Sequence, residues 1–311
     1  MTDGMRLIAL SDRSSARGAV VALGSFDGVH EGHRAVLARA AEEARASGLA
    51  AVAFTFSVPP SLGPRADGVL LSTPEEKLAL LRDAGIDAAA LADFGKLSCM
   101  TAEEFVRVIL LEELRALKTV CGYDFSFGAG RSGTPETLRD YFGEDAIILP
   151  CVSAAGIPVS SSKIRSLLSE GKVAAAAELL GRPYSVSGKI FRGRGDGTRI
   201  GFPTVNLAPD KSKVRLRPGV YVSEISAGGI WLPAVTDAGY APSLDNSGVY
   251  RYETHILEGG AEFRAEETAI RFLEFIRPET KFGSEKELRA AIAADVAKAK
   301  LFFGTHLLNY N

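Results

Sequence analysis

The sequence predicts a two-domain protein: an amino-terminal α/β domain built on a parallel sheet, followed by an antiparallel β-barrel with a carboxyl-terminal helix. In the first part, apolar strand-like runs alternate with amphipathic helical patterns, as in βαβ units. Beyond Pro183 the helical pattern disappears, and short β-rich runs follow one another with turn signals between them. The 311 residues are enough for two hydrophobic cores. We therefore assign residues 1–182 to the first domain and residues 183–311 to the second.

Composition and charge argue against several kinds of partner. The formal net charge is −2 and 24% of the residues are charged, so no global basic field favours nucleic acid. Residues 1–12 lack the features of a signal peptide, and no segment reaches the roughly 20 apolar residues of a membrane span. We expect a cytoplasmic protein that binds neither nucleic acid nor membrane. Cys99, Cys121 and Cys151 lie far apart without a CxxC pair, which predicts buried free thiols.

A Gly-rich turn over residues 24–33 follows the apolar run Ala19–Leu23 and precedes an Ala-rich helical pattern over about 34–46. This order places the turn at the carboxyl edge of a parallel sheet, where α/β proteins bind nucleotides. Gly24 and Gly28 let the backbone approach a ligand closely, and the amides and dipole of the following helix favour phosphate. The turn is therefore a candidate nucleotide site.

Two of the four histidines, His30 and His33, lie in this turn. Their spacing places them on one side of the helix start, where they can donate hydrogen bonds to phosphate oxygens as negative charge builds up. A helix-capping turn with solvated histidines is the alternative. A metal pair is a weaker one, because no third ligand residue follows at suitable spacing.

The full string from Gly24 to His33 resembles the nucleotidyltransferases of the HxGH superfamily. Its FDGVHxGH form is similar to the bacterial bifunctional riboflavin kinase/FMN adenylyltransferases, or FAD synthetases. The resemblance implies a Rossmann-like HxGH nucleotidyltransferase domain in the first half. It also implies catalytic roles for the two histidines and nucleotide binding by the residues Gly24, Phe26, Asp27 and Gly28.

The rest of the first half continues the alternation of strands and helices. Strands are predicted over about 50–56, 88–94, 118–121 and 146–150. Thr73 begins one helix as an N-cap, and a capping box at 101–104 begins another that buries one apolar face, formed by Phe105, Val106, Ile109 and Leu110. The Pro-rich loop at 57–64 is either a mobile flap or an ordinary connection, and we assign it no catalytic role.

A second Gly-rich loop, residues 122–133, follows the predicted strand at 118–121. Its arginine, Arg131, is a candidate phosphate ligand, although loops of this composition are often simple turns. The loop resembles the G-x-D-F-x-F-G-x-x-R-x-G element of the FAD synthetases. That resemblance implies that Asp124, Phe125 and Arg131 line the adenylylation site and hold the flavin.

Residues 159–165 place three serines and two cations before a helix. Hydroxyls, helix amides and cations together can bind phosphate, although a serine N-cap alone would explain part of the pattern. The string resembles the S-S-T-x-I-R signature of the superfamily, with Ser162 in place of threonine. The resemblance implies that Ser161, Ser162 and Arg165 contact the triphosphate of ATP, with Arg165 also catalytic.

A helix over 171–181 closes the first half at a Gly stop signal. The second half is predicted to form an antiparallel barrel, with a final amphipathic helix at about 285–303. Its strands are predicted over residues 184–191, 219–225, 230–235, 250–257 and 268–276.

The barrel half contains a loop and extended segment over residues 193–207. Thr204 and Asn206 share one face of an extended segment and can offer two neutral oxygens to Mg²⁺, unless they simply pair along a strand edge. The string G-F-P-T-V-N-L resembles the G-F-P-T-A-N signature of riboflavin kinases. The glycines able to lie over a polyphosphate are Gly193, Gly195 and Gly201.

Two later segments extend the resemblance to riboflavin kinases. Residues 218–221 are similar to P-x-G-V-Y, and 252–257 are similar to V-E-x-H-I-L, which makes Glu253 the catalytic carboxylate that accepts the riboflavin 5′-hydroxyl proton. The segments 237–243 and 258–260 depart from the family pattern. A barrel that has lost kinase activity is therefore one alternative.

The resemblance extends over about residues 20–295. It implies an enzyme that phosphorylates riboflavin to FMN and then adenylylates FMN to FAD, with Mg²⁺ as cofactor and ATP as co-substrate. The implied partners are the small molecules riboflavin, FMN, ATP and FAD, and protein partners stay open. The alternatives are an FMN adenylyltransferase with a degenerate barrel, or a flavin-binding regulatory or storage module.

Overall fold

In a computed structural model, the chain is described over residues 5–9, 18–59, 69–154, 156–193, 195–240, 250–258, 263 and 265–307. By its internal contacts the chain divides into two compact units, Met1–Ser161 and Ser162–Asn311. The boundary predicted after residue 182 rests on the change from helical to β-rich sequence pattern. It stays a prediction, because a division by contacts and a division by function need not fall at the same residue.

The first unit contains a six-stranded sheet in the order β1-β4-β3-β2-β5-β6. Its strands are β1 Met5–Ala9, β2 Ala19–Leu23, β3 Ala50–Phe56, β4 Ala88–Ala92, β5 Ala116–Gly122 and β6 Ala146–Leu149. β2 to β6 are parallel, as predicted, whereas β1 pairs antiparallel with β4 at the edge. The strand order changes direction between β2 and β5, so the loops after these strands flank the switch point where α/β sheets bind ligands.

Helices and short strands complete this unit. They are α1 Glu31–Ser47, α2 Pro74–Asp83, α3 Phe94–Leu97, α4 Ala102–Glu104 with π-helical turns over Phe105–Glu113, α5 Pro135–Phe142, 3₁₀ turns Ala129–Arg131 and Gly143–Asp145, and β7 Ser153–Ala154 with β8 Ile157–Pro158. Capping boxes at Thr73 and Thr101 confirm both predicted helix starts. The predicted apolar face is the buried one, but its backbone has π-helical hydrogen bonds.

The second unit contains a closed antiparallel barrel in the order β10-β13-β12-β11-β14-β9, which confirms the predicted architecture. Its elements are α6 Ser161–Ser169, α7 Val173–Leu180, β9 Tyr184–Phe191, α8 Asp196–Arg199, β10 Val205–Pro209, β11 Gly219–Ala227, β12 Ile230–Tyr240, β13 Tyr250–Ile256, β14 Glu267–Pro278 and α9 Glu285–Leu307. Alternate residues of β13 point into the barrel, where Tyr252 is fully buried. α9 covers part of the outer face, where Ala299 packs against Val220, Val222 and Val235.

The cysteines correct one expectation. All three are free thiols, but only Cys121 is buried, whereas Cys99 and Cys151 are exposed. Cys121 lies on β5, and the other two lie in connections between elements, where surface location is the rule. Across the described residues, none of the helices has the length and apolar character needed to cross a bilayer.

Candidate active sites

The turn after β2 has a strained backbone. Phe26 and Val29 adopt φ angles of 47° and 40°, in the left-handed region that residues with a side chain rarely occupy. Both residues are buried. Gly28, at φ 76°, allows close packing as well, because a Cβ there would approach the Leu71 Cβ to 2.7 Å. Strain of this kind persists only where surrounding contacts hold it.

Those contacts centre on Asp27, whose side chain is fully buried. Its carboxylate accepts hydrogen bonds from the backbone N–H groups of Leu71 at 3.1 Å and Ser72 at 3.2 Å. The Ser72 hydroxyl accepts a hydrogen bond from the Gly28 N–H at 3.0 Å. Ser161 donates its hydroxyl to the Asp27 carbonyl at 3.1 Å. Asp27 and Ser161, both predicted to bind nucleotide, are thus hydrogen-bonded to each other.

The two histidines lie together at the start of α1. His30 is the N-cap, and its Nδ1 accepts a hydrogen bond from the His33 backbone N–H at 3.2 Å. The two rings stack with 3.6 Å between centroids, and the Phe26 ring meets His33 edge-on at 5.3 Å. The capping role that we considered as an alternative is therefore present, and it uses Nδ1, one of the two ring nitrogens of His30.

The other nitrogen, Nε2, can act only as a donor in the neutral ring. Because Nδ1 of His30 accepts a hydrogen bond, the hydrogen-bond pattern assigns the proton of neutral imidazole to Nε2. Gly32 makes room for this arrangement, since a Cβ there would lie 3.3 Å from the His30 ring. A fixed N–H donor beside the N-terminus of a 17-residue helix suits an anion.

The loop after β5 lies at the same edge of the sheet as the histidine turn, because β2 and β5 are parallel neighbours. Phe125 stacks on Phe127 with 5.7 Å between ring centroids, and Phe127 packs into the core. Asp124 is exposed beside them. Arg131 is exposed and donates its Nε–H to Ser126 Oγ at 2.8 Å. The structure thus brings the predicted flavin-binding loop and the nucleotide turn to one edge.

Two predicted triphosphate ligands fall in the second compact unit. Ser162 is exposed and Arg165 is half-buried on α6. Their predicted position at the triphosphate of the histidine site stays a prediction.

In the barrel unit, predicted nucleotide and metal ligands line an open cavity of about 1030 Å³. Gly193, Gly195, Thr204 and Asn206 contribute to its wall, whereas Gly201 does not. The other lining residues are Ile190, Phe191, Arg192, Thr198, Arg199, Val205, Phe263, Ala265 and Glu266. The volume is in the range of pockets that hold small ligands.

The Gly-rich loop packs directly on the metal-ligand candidates. A Cβ at Gly193 would lie 2.5 Å from the Asn206 Nδ2. A Cβ at Gly197 would lie 3.3 Å from the Thr204 hydroxyl. Asn206 is only 7% exposed, so its amide is held in place. A hydroxyl and an amide oxygen are neutral ligands of the kind that Mg²⁺ accepts beside phosphate oxygens and water, so these residues fit the ion.

Glu253 lies next to this wall. It is the cross-strand partner of Asn206 on β10, so the two side chains share the outer face of the barrel. On its other side, Glu253 is the cross-strand partner of Asp237 on β12. Arg251, two residues earlier on the same face, forms an ion pair with the Glu253 carboxylate. The predicted base Glu253 and the predicted metal ligand Asn206 thus lie in one row across neighbouring strands, which Asp237 continues.

Asp237 belongs to the first of the two segments that depart from the family pattern. Residues 241–243 of that segment and 259–260 of the second lie outside the described residues. Partial burial raises the pKa of Asp237 from 3.8 to about 7, and repulsion from Glu279 and Glu253 adds to this. The carboxylate of Glu279 lies against Gly239, where a Cβ would displace it.

Sequence reasoning missed two residues that hold these sites together. His255 bonds through Nδ1 to the Pro203 carbonyl at 2.9 Å, directly before Thr204. Lys77 is buried beneath the histidine turn. A signal for Lys77 was present, since it stands one turn before Leu81 on the apolar face of α2.

Comparisons with known proteins give two family matches along the chain. The family model described as FAD synthetase matches residues 12–163, and that described as riboflavin kinase matches residues 180–303. The bifunctional riboflavin kinase/FMN adenylyltransferase of Escherichia coli (strain K12) is 33% identical over 92% of this chain and 93% of its own length. The protein of that name from Bacillus subtilis (strain 168) is 30% identical over 92% of both chains. A solved structure described as a macrolide-efflux protein from Streptococcus pneumoniae superimposes with a TM-score of 0.83 at 29% identity, over 94% of this chain and 97% of that one.

Proposed function

Because the chain belongs to the family of bifunctional riboflavin kinase/FMN adenylyltransferases, we propose that its two candidate sites carry out two successive reactions. The chain phosphorylates riboflavin to FMN with ATP, and it transfers AMP from a second ATP to FMN, which forms FAD and releases pyrophosphate. We further propose that Mg²⁺ accompanies ATP, that riboflavin, FMN, ATP and FAD are the small-molecule partners, and that both reactions take place in the cytoplasm.

Adenylyl transfer is assigned to the turn after β2. An oxygen of the FMN phosphate attacks the α-phosphorus of ATP, and the bond from that phosphorus to the pyrophosphate oxygen breaks. The Nε2–H of His30, the His33 ring and the N-terminus of α1 stabilise the charge that develops on the phosphate oxygens, with Arg165 as a further cation. Gly24, Phe26 and the rest of the turn set the backbone against the nucleotide. No covalent enzyme intermediate is required.

Flavin binding is assigned to the loop after β5. Phe125 offers a half-buried ring at the edge of the sheet, and Asp124 and Arg131 supply polar groups beside it. The apolar isoalloxazine ring system and the phosphate of FMN need these two kinds of contact.

Phosphorylation is assigned to the barrel. Glu253 accepts the proton of the riboflavin 5′-hydroxyl while that oxygen attacks the γ-phosphorus and ADP leaves. Arg251 orients the Glu253 carboxylate through their ion pair. Thr204 and Asn206 would hold Mg²⁺, which supplies neutralisation of the phosphate charge. Gly193, Gly195 and Gly201 let the loop approach the polyphosphate.

The observation that carries the adenylyl-transfer assignment is the His30 ring, whose Nδ1 is engaged as the helix cap so that Nε2–H is the donor. In an assay with riboflavin, ATP and Mg²⁺, the double variant His30→Ala, His33→Ala should accumulate FMN, with FAD formation reduced at least about 100-fold. Glu253→Ala is the reciprocal control: it should block FMN formation but convert supplied FMN to FAD. Unchanged FAD output from the double histidine variant would refute the assignment.

A chain with adenylyltransferase activity alone is the second candidate. It is favoured by Asp237, a carboxylate that is the cross-strand partner of Glu253 and lies in the segment that departs from the family pattern. Supplying riboflavin in one assay and FMN in another separates the two, since the second candidate makes FAD only from FMN.

A further inference from the structure

A buried lysine lies beneath the histidine turn. Lys77 of α2 is 1% exposed. Its Nζ donates hydrogen bonds to the Ser25 carbonyl at 3.0 Å and to the Phe56 carbonyl at 2.7 Å. An ammonium group is retained in a protein interior when polar partners replace its water. The proposed chemistry leaves this group without a role.

The two carbonyls belong to segments that leave neighbouring strands. Ser25 follows β2, Phe56 ends β3, and these strands are parallel neighbours. The Ser25 carbonyl also accepts the Thr55 hydroxyl at 2.7 Å, so two donors hold it toward the interior. Lys77 therefore cross-links the strand ends at the edge where the histidines lie.

The residue that follows Ser25 contacts one of the two histidines directly. Phe26, the next residue, has the strained φ of 47° and meets His33 with its ring edge-on at 5.3 Å. If the Ser25 carbonyl rotated outward, the Phe26 backbone could relax and its ring would leave His33. The hydrogen bonds of Lys77 oppose that rotation.

The charge of Lys77 has a partner in the same turn. Burial lowers the pKa of Lys77 to about 8, and the attraction of Asp27 acts in the opposite direction. Asp27 is the carboxylate that receives the N–H groups of Leu71 and Ser72. The Asp27 carboxylate in the turn and the Lys77 ammonium group beneath it are therefore both buried and attract each other.

We propose that Lys77 is a positioning residue for adenylyl transfer, whose ammonium group holds the Ser25 and Phe56 carbonyls inward and so keeps the turn that carries His30 and His33 in its strained form. The inference rests on the proposed role of those histidines. Misplacement of a catalytic group by about 1 Å lowers a rate by roughly 100-fold. The effect should fall on kcat, because the histidines act on charge that develops during the reaction.

The test replaces Lys77 with methionine, which keeps the chain length and removes both charge and donors. With FMN, ATP and Mg²⁺, Lys77→Met should lower kcat of adenylyl transfer by roughly 10- to 100-fold, with a smaller change in the KM for ATP. Riboflavin kinase activity of the same chain should match wild type, which reports on folding of the rest of the protein.

Leu81→Ala is the matched control, since Leu81 is fully buried on the same helix. It should lower the melting temperature and leave kcat close to wild type. A Lys77→Met enzyme with wild-type kcat would overturn the proposal. So would a loss of kcat in both variants that follows the fall in melting temperature, because Lys77 would then be structural only.

Two further variants keep every result interpretable. If Lys77→Met does not fold, Lys77→Gln keeps a polar N–H donor at this position and removes the ammonium group, and a wild-type kcat there would overturn the proposal. His30→Ala separates this inference from the histidine assignment on which it rests. Full activity of His30→Ala would refute the histidine assignment, whereas full activity of Lys77→Met beside an inactive His30→Ala would refute only the role of Lys77.

Discussion

At the scale of single residues, one side chain can serve structure and chemistry at the same time. His30 caps α1 through Nδ1, and the same bond determines which nitrogen presents a proton. The sequence left capping and phosphate binding as alternatives. The geometry shows the capping bond through Nδ1, and the phosphate binding that we propose would use the other ring nitrogen. Asp27 also makes two kinds of contact. Its carboxylate accepts hydrogen bonds from the N–H groups of Leu71 and Ser72, and its backbone carbonyl accepts one from the Ser161 hydroxyl.

Asp237 gives a prediction of pH dependence at this scale. Its pKa is raised to about 7 by burial and by Glu279 and Glu253. The folded protein therefore binds a proton more tightly than the unfolded chain, so this contribution to stability is present below pH 3.8 and is lost as pH rises through about 7. Asp237→Asn should raise the melting temperature relative to wild type more at pH 8 than at pH 5. Thermal unfolding at both values checks this, and equal differences would contradict it.

At the scale of elements, local signals predicted most starts and ends. The capping boxes, the buried face of Phe105–Glu113 and the strand β9 Tyr184–Phe191 follow from patterns within a few residues. Loop geometry required the structure. The loop at residues 193–197 looked only Gly-rich in sequence, whereas two of its glycines, Gly193 and Gly197, lie against Asn206 and Thr204.

Gly193 supplies the prediction for this element. In Gly193→Ala the new Cβ would lie 2.5 Å from the Asn206 Nδ2, so either the loop or the amide must move. We expect riboflavin kinase kcat/KM for ATP to fall at least about 10-fold, a loss of about 1.4 kcal/mol in transition-state binding, with adenylyl transfer from FMN unchanged. Gly304→Ala, in α9 with open space around it, is the control and should retain both activities. A fully active Gly193→Ala kinase would show that the loop does not position Asn206.

At the scale of the whole molecule, each activity belongs to a unit with its own core. The sheet of the first unit separates two apolar clusters, and the barrel encloses the core of the second. Contacts and sequence pattern place the boundary between these units at different residues. By contacts, α7 belongs with β14 and β9, whereas the change in sequence texture comes after residue 182.

The boundary can be tested with two fragments. α7 buries four apolar side chains, Val173, Ala176, Leu179 and Leu180. A fragment of residues 162–311 keeps them against the barrel, so it should unfold at least about 5 °C above a fragment of residues 183–311. Circular dichroism measures the transitions, and a kinase assay shows whether each fragment is folded. Equal melting temperatures would favour the boundary at residue 182.

Sequence by itself determined what depends on near neighbours. Each of these features lies within a short stretch of chain: the helix caps, the apolar run of β2, the alternation of inward and outward residues in the barrel, and the individual family motifs. These features were enough to assign the family and both reactions, because the reactive groups of each site are concentrated in motifs a few residues long.

Only the tertiary structure decided what depends on distant parts of the chain. The antiparallel pairing of β1 with β4, the row of Asn206, Glu253 and Asp237, and the exposure of Cys99 and Cys151 could not be derived from local pattern. Lys77 is the clearest case, since it reaches a carbonyl 52 residues away. The physical reason is that strand pairing and the burial of charge depend on contacts formed after the chain has closed long loops, and no short window of sequence contains both partners.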